Sequence, residues 1–182
     1  MLLLLTATIA AGTNNNVAFA DQLERFTGQY VGTAQVLDPD GAVIEERHMD
    51  IEIARHKNDG LQIHWYNVIL VDGRRDLPGV RRNSNEVILV PHTAPGYYVE
   101  SDKSSPFREK RELAATKGDP IRWAVIDENT IYFYSFQKLP DDRYEMQTYI
   151  RRMNDVGLEL DFERIVDGKS RRVIKGKTVR AQ

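Results

Sequence analysis

The amino-acid sequence predicts an all-β protein, a single antiparallel up-and-down β-barrel of about 8–10 strands. Turn-forming combinations of Asn, Asp, Gly and Pro recur along the chain at roughly 8–12-residue intervals. Between these turns, apolar residues stand at every second position, which places one face of a strand on a core and the other in water. The 182 residues suffice for one such domain, and closing the sheet into a barrel hides its edge strands.

The alternating segments predict about nine or ten strands joined by consecutive hairpins, a connectivity that favours an up-and-down barrel. They cover residues 25–37, 43–55, 61–71, 86–91, 96–101, 121–126, 130–138, 143–153, 157–166 and 170–180. One short helix or long loop is predicted near 104–118, where good helix formers follow Ser104-Ser105-Pro106.

The last hairpin can be aligned by its charges. With a three-residue loop over 167–169, Asp161 faces Lys175 and Glu159 faces Lys177. Opposite charges on neighbouring strands stabilise a sheet by roughly 0.2–1 kcal/mol per pair. A two-residue loop would instead place lysines opposite leucines, and burying a lysine costs more. The sequence therefore predicts the three-residue loop.

The first 20 residues have the layout of a secretory signal peptide. Met1–Ala11 is apolar but shorter than the roughly 20 residues that cross a bilayer as a helix, and Ala18-Phe19-Ala20 supplies a small-x-small site. We expect cleavage after Ala20, a β-barrel domain over 21–182 that does not span a membrane, and a periplasmic or secreted protein. A frayed segment of a cytosolic protein is the alternative. The absence of cysteine favours a bacterial periplasm over an animal extracellular space.

Composition excludes several kinds of site. The net charge of −2 gives no reason to expect a nucleic-acid partner. Without cysteine there is neither a thiolate metal site nor a cysteine nucleophile. The four histidines show no zinc-enzyme spacing, and none follows His92, so the C-terminal strands offer no histidine ligand for haem. We predict no catalytic residue, no metal and no cofactor.

The side chains assigned to the inner face predict a ligand site. Aromatic walls with a few polar groups suit a small apolar molecule, and an inward arginine must pair with a carboxylate or bind an anion. The candidate ligand-binding residues are Trp65, Asn67, Trp123, Phe133, Met146, Arg152, Phe162 and Arg164. Core filling by the aromatic residues, and closure of the barrel by the arginines, are the alternatives.

Two of the predicted strands, 61–71 and 130–138, are apolar on both faces. In the second, Tyr132 and Tyr134 alternate with Phe133. An apolar outer face of a barrel must be covered. The long loop that precedes the second strand, a partner protein, or a second copy in a homodimer are the candidates.

The segment Gly28-Gln29-Tyr30 resembles the Gly-x-Trp motif at the start of calycin or lipocalin-type barrels, with Tyr in place of Trp. In that family an arginine from the last strand packs over the aromatic ring and closes the base of the barrel. Arg180 or Arg164 would take this position here. The specific resemblance covers three residues, and the family's middle Thr-Asp-Tyr motif has no counterpart. It implies a lipocalin-like barrel whose lumen binds a small, mostly apolar molecule.

We therefore expect a periplasmic or secreted lipocalin-like protein that binds a small apolar or amphipathic molecule in the barrel lumen. Two alternatives stay open. One is a structural or interaction protein of the bacterial envelope that has no small ligand. The other is a barrel enzyme that acts on a lipophilic substrate, for which a titratable residue of perturbed pKa inside the barrel would be the sign.

Overall fold

A computed structural model describes residues 22–57, 59–101 and 117–181. The predicted signal peptide lies outside these residues, and so do residues 104–116 of the segment predicted as a helix or loop. One helical turn over 22–26 precedes the first strand. Within the described ranges, no helix has the length and apolar character needed to cross a bilayer.

Ten antiparallel strands within the described residues form one closed barrel. They are β1 (Gly28–Leu37), β2 (Val43–His56), β3 (Gly60–Ile69), β4 (Arg81–Pro91), β5 (Tyr97–Glu100), β6 (Ile121–Asp127), β7 (Thr130–Lys138), β8 (Tyr144–Met153), β9 (Gly157–Val166) and β10 (Lys169–Arg180). Every strand lies beside its neighbours in the chain, and β10 closes the ring on β1. The predicted all-β barrel is thus confirmed.

β5 is the shortest strand of the ring. It pairs with β4 over Tyr98–Glu100 and with β6 over Tyr97–Val99. The first half of β4, Arg81–Asn85, pairs with β3 and with no second strand of the described part. On this half, Asn83 and Asn85 are exposed, so the barrel interior is accessible from this side.

The β9–β10 hairpin has a two-residue turn, so the predicted three-residue loop is wrong. Asp167 and Gly168 have φ angles of 48° and 73°, as a type I′ turn requires, and Val166 pairs with Lys169. The pairing then shifts by one residue at Arg171, where a β-bulge adds a residue to β10.

The charge pairing predicted for this hairpin is nevertheless confirmed. Asp161 lies opposite Lys175 with 3.8 Å between carboxylate oxygen and Nζ, and Glu159 lies opposite Lys177 at 4.0 Å. The extra residue in the bulge restores the register that a three-residue loop would have given, because a shift by one residue exchanges the two faces of a strand.

Buried residues identify the inner face of each strand. The core runs around the whole ring and includes Tyr30, Val36, Met49, Ile51, Ile63, Trp65, Val87, Leu89, Tyr98, Ala124, Ile131, Phe133, Leu160, Phe162 and Ile174. The interior is therefore mostly aliphatic and aromatic, and its polar residues are exceptions that need partners.

Trp65 lies inside the barrel but Trp123 lies on its outer face, so the prediction that both face the interior is wrong for Trp123. On β6 the buried residues are Ala124 and Ile126, and alternation places Trp123 on the other side. There it stacks on Tyr134, with ring centroids 5.2 Å apart. The outer face of β6 and β7 is itself apolar, so a pattern of every second residue does not identify the inner face.

β8 is likewise turned over relative to the prediction. Glu145 and Arg151 are buried on its inner face, which places Met146 and Arg152 on the outer face. Arg152 donates from Nη1 to Asp161 on the same outer surface, at 2.5 Å. The inward positions predicted for Met146 and Arg152 are wrong because the outer side of β8 is its more apolar side.

The Gly28-Gln29-Tyr30 segment and the end of β10 close the base of the barrel. The Arg180 guanidinium lies over the Tyr30 ring, with Cζ 5.3 Å from the centroid, and donates from Nη2 to the Tyr30 hydroxyl at 2.8 Å. That hydroxyl donates in turn to the carbonyl of Phe26. Burial raises the pKa of Tyr30, against the opposing effect of Arg180. Arg180, and not Arg164, takes the closing position.

Candidate functional site in the barrel interior

An interior cavity of about 200 Å³ lies between β2, β3 and β4 on one side and β8, β9 and β10 on the other. Its apolar lining consists of Met49, Trp65, Tyr149, Leu160, Phe162 and Ile174. Its polar lining consists of Arg47, Asn67, Asn83, Asn85, Arg151 and Arg172. The cavity thus offers both apolar surface and hydrogen-bonding groups.

Strand register places parts of each kind of surface side by side. Asn67 and Asn83 pair across β3 and β4, and Tyr149 and Phe162 pair across β8 and β9. Cross-strand partners face the same side of a sheet. The amides therefore gather on the β3–β4 wall, and two of the aromatic rings gather on the β8–β9 wall.

Tyr149 is the centre of an aromatic cluster. Its ring centroid lies 4.7 Å from that of Phe162, 5.3 Å from that of Phe133 and 5.7 Å from that of Trp65. Such pairs contribute about 0.5–1.5 kcal/mol each beyond their buried area. The Tyr149 hydroxyl donates to Gln147 Oε1 at 2.8 Å, and burial raises the pKa of Tyr149. The cluster gives the cavity a well-defined wall.

Arg151 is the unusual residue of the cavity. It is 1% exposed, and neither Nε nor Nη1 has a hydrogen-bond partner. The guanidinium Cζ lies 5.4 Å from the ring centroids of both Trp65 and Tyr149, so cation–π attraction offsets part of the cost of burial. Burial lowers the pKa of Arg151 to about 10, which leaves it charged at neutral pH.

Two other arginines that face the interior, Arg47 and Arg122, have carboxylate partners. Arg47 forms an ion pair with Glu45. Arg122 donates from Nη1 to both carboxylate oxygens of Glu100, at 2.9 and 3.0 Å. These pairs largely neutralise the charges that they bring into the barrel.

Arg164 faces inward, as predicted, but the barrel already supplies its partner. Its Nε donates to Glu145 at 2.6 Å, and Glu145 is 3% exposed. Gln147 and Gln137 donate to the same carboxylate, at 2.6 and 3.3 Å. Burial acts to raise the pKa of Glu145, but the hydrogen bonds from Arg164 and the two amides outweigh it and hold the pKa below its usual value. Arg164 therefore has a structural partner within the fold.

A second interior cavity of about 190 Å³ adjoins the first. It is lined by Trp65, Asn85, Glu86, Val87, Arg122, Phe133, Ser135, Gln137, Gln147 and Tyr149. Several of these polar groups bond to one another or to Glu100 and Glu145. The first cavity, which contains Arg151, is therefore the stronger candidate for a ligand.

Three predicted site residues, Trp65, Asn67 and Phe162, line the first cavity. Phe133 packs against Tyr149 and lines the second cavity. The predicted residues on the outer faces of β6 and β8 belong to neither. Alternation thus brings part of the predicted set together at the interior cavities. A binding role for these residues is a proposal.

Sequence reasoning misses Tyr149 and Arg151, because the inner side of β8 has the more polar sequence. The signal that could find them is the β8–β9 hairpin. If Phe162 faces inward, antiparallel pairing through the turn at 154–157 places Tyr149 opposite it, on the same side. Asn83 and Asn85 are missed because the sequence prediction starts β4 at residue 86.

The outer surface of β3 carries a small polar cluster. His64 points outward, as expected, with Nε2 2.9 Å from Ser84 Oγ and Nδ1 3.1 Å from the Tyr66 hydroxyl. Among the residues that the structure describes, no three histidine or carboxylate side chains are grouped so that they could hold a metal ion.

No protein-family model matches the chain, and no curated protein gives a significant match. Among solved structures, an S-type phycobiliprotein lyase from Guillardia theta is similar to it, over 93% of this chain and 98% of that chain. The two sequences are 10% identical, and the TM-score is 0.40. A likeness this distant does not indicate a shared ligand or activity, so what the barrel binds has to be inferred from the cavity itself.

Proposed function

We propose that the barrel is a binding module that holds one small amphipathic molecule in its interior cavity. The observation that carries the proposal is the pairing of aromatic rings with asparagine amides around unfilled interior space. Protein interiors are normally close-packed, and barrels of eight or more strands have room for one small ligand. Small-molecule sites combine apolar surface with polar groups that fix the orientation of the ligand, and this cavity offers both, with polar side chains making up half of its lining.

The volume of the cavity limits the ligand to a compact molecule. The cavity of about 200 Å³ is smaller than the roughly 300–1,000 Å³ that drug-sized ligands occupy. It corresponds to about seven water molecules at about 30 Å³ each. A longer molecule would have to extend out of the barrel past Asn83 and Asn85.

Native mass spectrometry of protein purified without denaturant tests the proposal. A small molecule that co-purifies and is released on unfolding would support it. Fluorescence provides the second measurement. The chain has two tryptophans, so in Trp123→Phe the emission comes from Trp65 in the cavity wall. We expect this emission to change saturably when benzyl alcohol is added.

The matched control is Trp65→Phe, which keeps Trp123 on the outer face as the fluorophore. Its emission should not respond saturably to the same probe. Absence of a co-purifying molecule, together with no saturable response in Trp123→Phe, would contradict the binding module.

We also propose that the protein acts in the periplasm or outside the cell, after removal of residues 1–20. The apolar segment and the Ala18-Phe19-Ala20 site support this location.

Self-association is a second candidate function, favoured by the aromatic outer face of β6–β8. Trp123 stacks on Tyr134, and Phe136 stacks on Tyr144 with centroids 5.8 Å apart. The strand at 61–71, also predicted to take part in a homodimer, is separated from this face by β4 and β5. A dimer would therefore use the β6–β8 face.

Light scattering over a range of protein concentrations tests this candidate. Tyr134→Glu should dissociate a dimer, whereas Tyr66→Glu, on the outer face of β3, should not. A monomer at every concentration would exclude self-association.

A further inference from the structure

Most of the arginines that face the described barrel interior have a carboxylate partner or are exposed to water. Arg47, Arg122 and Arg164 each form an ion pair with a carboxylate of the barrel. Arg172 lines the cavity but is exposed, so water solvates its charge. Arg151 is buried and has no ion pair, and its Nε and Nη1 have no hydrogen-bond partner. Of the two cavity-lining arginines without an ion pair, Arg151 is therefore the one whose charge is shielded from water.

We infer that the ligand of this cavity is a compact monocarboxylate whose carboxylate group binds the Arg151 guanidinium; the inference rests on the proposed function. One uncompensated cation matches one negative charge. A planar guanidinium also presents its N–H groups in the geometry of a carboxylate. The contacts of Arg151 with Trp65 and Tyr149 involve ring systems. Its Nε and Nη1 are buried without a hydrogen-bond partner, so binding requires the guanidinium to turn these donors toward the cavity.

Other ligand classes fit less well. A neutral molecule would leave the Arg151 charge buried without a counter-charge. A phosphate group carries close to two negative charges at neutral pH. Of the other two cations that line the cavity, Arg47 already pairs with Glu45, and Arg172 is exposed to water. A long-chain fatty acid exceeds the volume of about 200 Å³. A short aliphatic or single-ring carboxylate satisfies all three limits.

The location of Arg151 predicts the orientation of the ligand. Its partners across the two neighbouring strands, Ile131 and Leu160, are both buried. Asn83 and Asn85, at the other side of the cavity, are exposed. The carboxylate should therefore point into the barrel, with the apolar body against the aromatic wall and its far end toward the amides.

Benzoate tests the inference in the Trp123→Phe protein, in which Trp65 reports on the cavity. Benzyl alcohol is the neutral probe of similar size, inorganic phosphate is the anion without an apolar body, and palmitate is the long carboxylate. Arg151→Met removes the charge, and Arg151→Lys keeps the charge without the planar fork. The matched control is Arg152→Met, which removes the neighbouring arginine from the outer face.

We expect benzoate to bind saturably and at least tenfold more tightly than benzyl alcohol, phosphate or palmitate. Its affinity should fall at least tenfold in Arg151→Met, fall less in Arg151→Lys, and stay unchanged in Arg152→Met. Circular dichroism and the melting temperature establish that each variant is folded. If Arg151→Met does not fold, the inference is tested by the benzoate affinity of Arg151→Lys and by the ratio of benzoate to benzyl alcohol affinities.

Equal affinities for benzoate and benzyl alcohol, or unchanged benzoate binding in Arg151→Met, would overturn the carboxylate assignment while leaving the binding module intact. Tighter binding of phosphate or palmitate than of benzoate would overturn it as well. If folded protein binds none of the four probes, both the assignment and the proposed function fail.

Discussion

Replacement of Arg151 by methionine should stabilise the ligand-free protein. Burial lowers the pKa of Arg151 from its ordinary value to about 10, and this lowering corresponds to about 3 kcal/mol of destabilisation by the buried charge. The cation–π contacts with Trp65 and Tyr149 offset about 0.5–2 kcal/mol of it. Because methionine fills similar space without a charge, the free energy of unfolding should rise by about 1–3 kcal/mol.

The pH dependence of this gain follows from the direction of the pKa change. A cation whose folded-state pKa is lowered destabilises the fold at every pH below that value. The effect is relieved only as the pH rises above about 10, toward the ordinary pKa of arginine. The gain in Arg151→Met should therefore be the same at about pH 6 and about pH 8.

Calorimetry in a buffer free of carboxylates measures the effect. A gain of this size should raise the melting temperature by about 2–12 °C, since 1 kcal/mol shifts it by about 2–4 °C in a domain of this length. The control, Arg152→Met, removes an exposed ion pair with Asp161 and should cost no more than about 1 kcal/mol. Destabilisation by Arg151→Met would refute the reasoning, because the fold itself would then be compensating the charge.

Three further substitutions or measurements test other parts of the structure. Glu145→Gln should lower stability by about 1–2 kcal/mol at neutral pH. Because the folded-state pKa of Glu145 lies below 4.5, its contribution is present above the unfolded pKa and disappears as the pH falls through the folded value. Urea unfolding of the unmodified protein and of Glu145→Gln at neutral and acidic pH measures this difference in stability. An equal loss of stability at both pH values would contradict the prediction. Gly32→Ala should destabilise by about 2–4 kcal/mol, since a Cβ there would lie 2.0 Å from the backbone oxygen of Lys177; an unchanged melting temperature would be the contrary result. The exported protein should begin at Asp21, which intact mass spectrometry of the periplasmic fraction measures. The mass of an uncleaved chain would contradict this prediction.

Strand order could be predicted because it depends on local chemistry. Asp59, Asp72, Glu128, Asp142 and Asp167 all have positive φ, and all lie in turns that the sequence marks with Asp, Asn or Gly. Between such turns, alternation defines strands whatever their partners are. Consecutive hairpins then leave few arrangements besides a ring.

The inner faces of β6 and β8 could not be predicted in the same way. Ala124 faces inward because Phe133 lies opposite it and fills the space, a pairing that depends on the neighbouring strand. Arg151 and Glu145 lie inside because β8 is registered against β9. A period of two residues cannot distinguish a core from an apolar outer surface, and β6–β8 have both.

The short β5 has a consequence for how the interior communicates with solvent. Few ladder hydrogen bonds join it to β4 and β6, so among the described strands a local separation here sacrifices the least backbone pairing. Such a separation would extend the part of β4 that has no second partner among the described strands, Arg81–Asn85, toward Pro91. Small molecules could then enter and leave the barrel when β5 separates transiently from a neighbouring strand. The exchange rate would depend on how often this separation occurs and not on global unfolding.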